Sequence, residues 1–308
     1  MAEQKLTDEE LFTLVEYSPE DAEKTGYSDY SYWKSVFTTF LKNKVAVALL
    51  IVFVAVVIFS FVALAIAKFD YNMGPNTADM YQKPNSTYWF GTDSLGRDMW
   101  SRVWYSSQTS LKLAGLVALG EAVIGITIGC LWGYVRQLDR FFTELYNVIA
   151  NVPTVIYLTL ISFIIGQGFW ILCGALVATG WLAMARNVRN LVLMYRDREY
   201  NLASRCLGTP LRRVLLKNLV PYLVSVVILR LALSIPQTIS YESTLSYLGL
   251  GLPIDQPSLG ILLRDARSAF LNYPHLLVFP ALIVSLITIT FYLIGNAFSD
   301  ASDPRNHV

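Results

Sequence analysis

The chain has 308 residues, 54% of them hydrophobic and only 15% charged, with a formal net charge of +1. Ordinary soluble proteins run at about 45–50% apolar and about 25% charged. The shortage of charge therefore disfavours a soluble enzyme, a disordered chain or a nucleic-acid binder, and leads to an integral membrane protein.

In chain order, residues 1–43 form a polar cytoplasmic N-terminal segment, and 1–30 carry nine acids against two lysines. Thr7-Asp8-Glu9-Glu10 before Leu11-Phe12 and Leu14-Val15 has the pattern of a capping box opening a short amphipathic helix. A stretch without formal charge then covers 45–67. About 20 apolar residues cross a bilayer core, so 44–68 is predicted to be the first transmembrane helix; it lies too far along the chain for a signal peptide. Residues 69–108 are expected to be extracellular.

The segment 109–299 is predicted to contain five more helices. Residues 113–135 are uncharged except for Glu121. The 41 uncharged residues of 145–185 exceed one crossing, and Gly166-Gln167-Gly168 breaks them into a hairpin of spans roughly at 142–165 and 169–188. Residues 218–241 are apolar except for Arg230, and 268–299 form the last span, with 300–308 a cytoplasmic tail. Pro153, Pro236 and Pro280 are expected to kink their helices. Six spans put both termini on one side. With that side cytoplasmic, Lys and Arg flanking the spans or in the loops between them number 14 inside, leaving aside Lys5 and Lys24 of the distal N-terminal segment, against seven outside, as the positive-inside rule requires.

Three cysteines (Cys130, Cys173, Cys206) and two histidines (His275, His307), all widely separated, offer neither a disulfide framework nor a metal site. Glu121, Arg230 and Glu242 are ionisable groups within or at the edge of spans. Each costs roughly 2.5–3.5 kcal/mol at a helix centre on insertion scales. They either line a polar translocation path or form an interhelical pair.

The charged connection 189–217 is too polar to cross the membrane, yet it is patterned. Leu202, Ala203, Cys206 and Leu207 share one face of a short helix, Arg198, Glu199 and Arg205 are available to its polar side, and Gly208-Thr209-Pro210 stops it. A knob that docks a protein and a helix lying on anionic headgroups both fit this composition.

The run from Glu199 through Ala203 to Gly208, then nine residues and Asn218-Leu219-Val220-Pro221, resembles the EAA loop of ABC importer permeases. Ala203, Gly208 and Pro221 match that pattern. Leu202 stands where it has Glu, Ser204 where it has the second Ala, and Asn218 and Val220 where it has Ile and Leu. Gly91-Thr92-Asp93-Ser94-Leu95-Gly96-Arg97-Asp98 with Ser101-Arg102, the run from Glu242 to Gly251, and Asp300-Ala301-Ser302-Asp303-Pro304-Arg305 resemble signatures of the peptide/nickel branch. Within it the chain is similar to the C-type subunit of oligopeptide permeases.

The resemblance implies an all-α polytopic membrane protein with six transmembrane helices and the type I ABC importer permease fold, in the plasma membrane of a bacterium. It implies a second homologous permease subunit, two cytoplasmic ATPase subunits and an extracellular peptide-binding protein as partners, besides membrane lipid. It also implies that Glu199, Tyr200, Ala203, Ser204, Arg205, Leu207, Gly208, Thr209 and Pro210 couple to an ATPase. The chain contains no Gly-Lys dipeptide, hence no P-loop. ATP and Mg are accordingly expected on the partners, with no cofactor, metal or catalytic residue on this chain. Residues 68–112 and 236–273 are expected to face the binding protein or form a gate, although their aromatic clusters also fit membrane-interface anchors. The rival readings are a secondary transporter or channel using Glu121 and Arg230, a membrane scaffold or sensor, and, within the family, a dipeptide or nickel importer permease.

Overall fold

A computed structural model describes residues 32–72, 77–253 and 255–302. The acidic 1–30 segment with its capping box, and Asp303-Pro304-Arg305, lie outside the described residues. Among the described residues the structure is helical, its one sheet-like feature being an isolated bridge between Thr92 and Asp98.

Helix α1 (Tyr32–Lys42) is followed by Asn43, whose side chain accepts a hydrogen bond from the Ala46 amide at 3.2 Å and so starts α2 (Lys44–Ala65). Only Ala46, Ser60 and Ala63 of α2 are buried. An apolar helix with so little burial belongs against lipid, on the rim of a bundle.

Helix α3 (Met99–Tyr134) begins well before the span expected at 113–135, because Asp98 caps it. The Asp98 carboxylate accepts from the Ser101 amide at 2.9 Å. Upstream, Asp93 accepts from the Leu95 and Arg97 amides, pairs with Arg97 Nε at 2.7 Å and lies 3.5 Å from the fully buried Arg102. Gly91 has φ +76, and a Cβ there would strike the Gln82 carbonyl. The signature at 91–102 is thus a folding device that fastens the loop to the start of α3.

The span expected near 142–165 is not one straight helix. Helices α4 (Arg136–Ala150) and α5 (Thr154–Ile165) meet at 81° across Asn151–Pro153. Pro153 has no amide hydrogen and disfavours helix in the residue before it, which ends α4. After the glycine turn, whose Gln167 side chain donates to the Gly249 carbonyl at 2.6 Å, α6 (Phe169–Arg196) continues past the expected end near 188. Helix α7 (Glu199–Cys206) and a single turn, α8 (Leu211–Arg213), lead into a π-helical stretch, Val214–Leu219, and then α9 (Val220–Tyr247). Helix α10 (Leu259–Ala266) and α11 (His275–Ser302) complete the chain. Helices α2, α3, α6 and α11 are each long and apolar enough to span a bilayer, and the bent α4–α5 pair can make a fifth crossing. The remaining expected span, 218–241, falls on α9, 28 residues long.

The tightest packing joins α3 to α6. Gly125, Gly129 and Gly133 recur every fourth residue on α3. A Cβ on Gly129 would lie 2.6 Å from the Ala185 carbonyl, and one on Gly133 would lie 2.7 Å from Val192. Glycine at this spacing lets two backbones approach closely in lipid. The contacts advance in the same sense along both chains, so α3 and α6 run parallel. At the Tyr134 end, buried Trp132 donates to Asp139 of α4 at 3.0 Å, and Asp139 pairs with Arg189 of α6 at 2.7 Å.

Candidate functional site

The connection after α6 folds into a compact knob. Asn201 is fully buried, and its side-chain amide donates to the Tyr195 carbonyl at 2.8 Å. Arg196 donates to the Gly133 carbonyl at 3.0 Å and pairs with Asp197 at 3.0 Å. The Arg205 guanidinium lies 3.8 Å from Asp197 and 5.9 Å from the Tyr134 ring centre. Hydrogen bonding from Arg196, reinforced by the charges of Arg196, Arg136 and Arg205, holds the Asp197 carboxyl below the usual carboxylate range. Behind the knob, buried Leu219 and Leu223 pack with Val188 and Val192. The knob is therefore fixed to the ends of both α3 and α6.

Its far side carries apolar groups with no cover. Leu207 is 86% exposed, Tyr200 and Leu202 are each 43% exposed, and Ala203 and Cys206 are exposed. The sequence places Leu202, Ala203, Cys206 and Leu207 on one face, and that face points away from the bundle. Exposed hydrophobic groups on a polar-anchored element make this face a candidate docking surface. Helix α7 closes with a paired C-terminal hydrogen-bond motif: the Thr209 amide donates to the Ser204 carbonyl and the Gly208 amide to the Arg205 carbonyl, both at 3.0 Å. Gly208 takes φ +72, and a Cβ added there would meet nothing within 4 Å. Glu199, Tyr200, Ala203, Ser204, Arg205, Leu207, Gly208, Thr209 and Pro210 thus occupy one helix and its exit turn. Arg205 differs from the others in turning back toward the bundle.

Glu121 and Arg230, 109 positions apart in the sequence, line one cavity of about 130 Å³. Thr179, Ser234, Gln237 and Thr238 add hydroxyl and amide groups to it. The Glu121 carboxylate lies so close to Gly180 that any side chain there would displace it. This partly open constellation, with Arg230 and Gln237 exposed, offers a carboxyl group, a guanidinium and neutral hydrogen-bonding groups to a polar ligand.

Glu242 stands apart from that pair. It is completely buried and does not line that cavity. Its carboxylate accepts from Ser246 at 2.7 Å and from Ser258 at 2.5 Å, and it presses on Gly260 in the first turn of α10. A carboxylate there complements the helix dipole, so Glu242 fastens α10 to α9. Sequence reasoning missed three structural features. Asn201 and Asp139 carried no signal, whereas the Gly125/Gly129/Gly133 spacing was readable as a close-packing pattern.

The description "binding-protein-dependent transport system inner membrane component" matches residues 125–308, and "N-terminal TM domain of oligopeptide transport permease C" matches 31–84. The chain is 39% identical over 303 residues to the oligopeptide transport system permease protein AmiD of Streptococcus pneumoniae, covering 97% of this chain and 98% of the relative. It is 32% identical to the oligopeptide permease protein OppC of Bacillus subtilis, over 92% and 93% of the two chains. It is also 32% identical to the dipeptide permease protein DppC of the same organism, over 96% and 93%. Among solved structures, the MetNI methionine ABC transporter superposes with a TM-score of 0.56 at 17% identity, covering 65% of this chain and 96% of that one. At that identity the likeness bears on fold alone.

Proposed function

The chain belongs to the binding-protein-dependent transport system inner membrane component family and has the type I ABC permease fold, and from that premise we infer that it is the permease subunit of an ATP-driven oligopeptide importer. It forms half of a translocation pore with a second permease and docks a cytoplasmic ATPase through α7. ATP and Mg act on the ATPases, and an extracellular binding protein delivers the peptide. The observation that carries the coupling assignment is Leu207, 86% exposed on a knob that Asn201, Arg196 and Arg205 hold to the bundle. An apolar side chain so presented gains most by entering a partner's cleft.

The cavity between Glu121 and Arg230 supplies a polar stretch of the path, with its two charges placed to meet the charged ends of a peptide. Arg230→Gln is expected to lower peptide uptake while the ATPases still co-purify; unchanged uptake would remove Arg230 from the path. The same pair of charges in one cavity is the observation that favours an ion-coupled transporter. Uptake by the permeases without ATPases would decide for that reading.

The N- and C-termini and the knob lie on the cytoplasmic side in this scheme, and residues 69–98 on the outside. Native Cys206 is the exposed thiol among the three cysteines, with Cys130 and Cys173 buried, so it reports the side directly. A membrane-impermeant maleimide should label Cys206 in opened vesicles and spare it in intact cells. Leu207→Arg should insert normally yet fail to retain the ATPases. Labelling in intact cells, or full ATPase retention by the variant, would overturn the assignment.

A further inference from the structure

A second crevice opens on the other side of α3. It measures about 290 Å³ and is walled by α2, α3, α9 and α11, with Phe53, Val57, Phe61, Ile235 and Phe291 as its apolar surface. Gly115 lies in its floor. A Cβ there would meet nothing within 4 Å, so the missing side chain helps to make the room. The polar groups of the crevice come chiefly from α3: Gln108 and Lys112, four residues apart and so on one face. The side-chain nitrogen of Gln108 is buried with no hydrogen-bond partner, and Gln108 is only 9% exposed. Trp104, one turn nearer the start of α3, also has a buried indole nitrogen with no acceptor. Lys112 is exposed in the crevice and makes no hydrogen bond or ion pair within the described residues. A row of three donors therefore lacks acceptors.

The protein cannot neutralise Lys112 from its own walls. Helix α2 contains no acid, α11 has only Asp300 in its last turn, and Glu242 of α9 is sealed under α10. Glu121 follows Lys112 by nine residues, about two and a half turns, and so occupies the opposite face of α3. The same half-turn separates the crevice from the cavity that Glu121 shares with Arg230, and places it toward the rim where α2 stands. Side chains on a helix lean toward its N-terminus. The Lys112 stem therefore carries its ammonium toward Gln108 and Trp104, the end of the bundle where Trp89, Trp100 and Trp104 cluster as interface anchors do.

We propose that this crevice is a binding site for an anionic phospholipid, with an acyl chain against Phe53, Val57, Phe61 and Phe291 and the headgroup phosphate drawn to Lys112. Ester and phosphate oxygens are the acceptors that Gln108 lacks. A lysine on an apolar surface reaches its headgroup by extending along the helix.

The assembled transporter, full-length chain included, is placed in nanodiscs, and the immobilised fraction of spin-labelled phosphatidylglycerol is compared with that of phosphatidylcholine. Wild type should prefer phosphatidylglycerol. Lys112→Gln should reduce that preference about fivefold, the equivalent of one lysine–phosphate attraction, whereas Lys112→Arg should keep it. The Cβ of Gly115→Leu meets no neighbour within 4 Å and the rest of the side chain enters the crevice, so this variant should expel both lipids while leaving the assembly intact. Equal affinity for the two lipids in wild type, or a preference undiminished in Lys112→Gln, would overturn the proposal. So would lipid retained by Gly115→Leu, or a photocrosslinker at position 115 capturing the second permease instead of lipid.

Discussion

Replacing Gly208 tests the knob at its most constrained backbone position. Its φ of +72 is left-handed, and the surrounding space is open, so a substitution is opposed by the main chain rather than by a neighbour. A non-glycine residue in this conformation costs roughly 1–2 kcal/mol, Asn less because its short polar side chain tolerates it, and a β-branched residue more. A cost of 1.4 kcal/mol changes the ratio of closed to frayed α7 about tenfold. Fraying would release the Thr209 and Gly208 hydrogen bonds and misdirect Leu207. Membrane insertion should be unaffected, since the spans do not depend on this turn. In proteoliposomes with the assembled transporter, peptide uptake per ATP hydrolysed should fall in the order Gly, Asn, Ala, Val, and Gly208→Arg should be uncoupled. Normal coupling by Gly208→Val, or a ranking by side-chain size with Asn below Ala, would refute the backbone argument.

Gly129→Leu should be far more damaging than Gly115→Leu on the same helix. It forces α3 from α6 at an overpacking cost of about 1–3 kcal/mol, seen as a lower melting temperature in detergent. Glu242→Ala strands Ser246 and Ser258 in a dry site at about 1–3 kcal/mol. It should also lower the melting temperature, and transport should fall only in proportion to surviving folded protein. Asp197 titrates below its ordinary value of 3.8. Its stabilising pairing is therefore complete above that pH and is lost only as pH falls through the lowered value. The maleimide reactivity of Cys206 should stay flat from neutral to mildly acidic pH, and should change at neutral pH in Asp197→Asn.

The spans were legible because a bilayer demands long uncharged runs, and 45–67 alone fixes α2 to within two residues at its far end. Their ends were less so. Asp98 starts α3 early, and α6 carries arginines on one face past the point where an uncharged run stops. Pro153 was read as a kink, but the angle between α4 and α5 depends on what each packs against. The knob was legible through Gly208 and its apolar face, whereas Asn201 acts through a carbonyl six residues away and leaves no pattern. Glu242 left its role open because its partner Ser258 lies 16 residues on, and no spacing rule links them.

Gly125, Gly129 and Gly133 join two parallel helices whose lower tips both hold the knob, through Arg196 on the Gly133 carbonyl and Arg205 beside Tyr134. A load on α7 consequently reaches α3 and α6 as a yoked pair, carrying Glu121 along. Arg230 follows on a separate strut, beyond the looser π-wound stretch 214–219. Any stroke delivered there shears the two charged walls past each other instead of shifting them together.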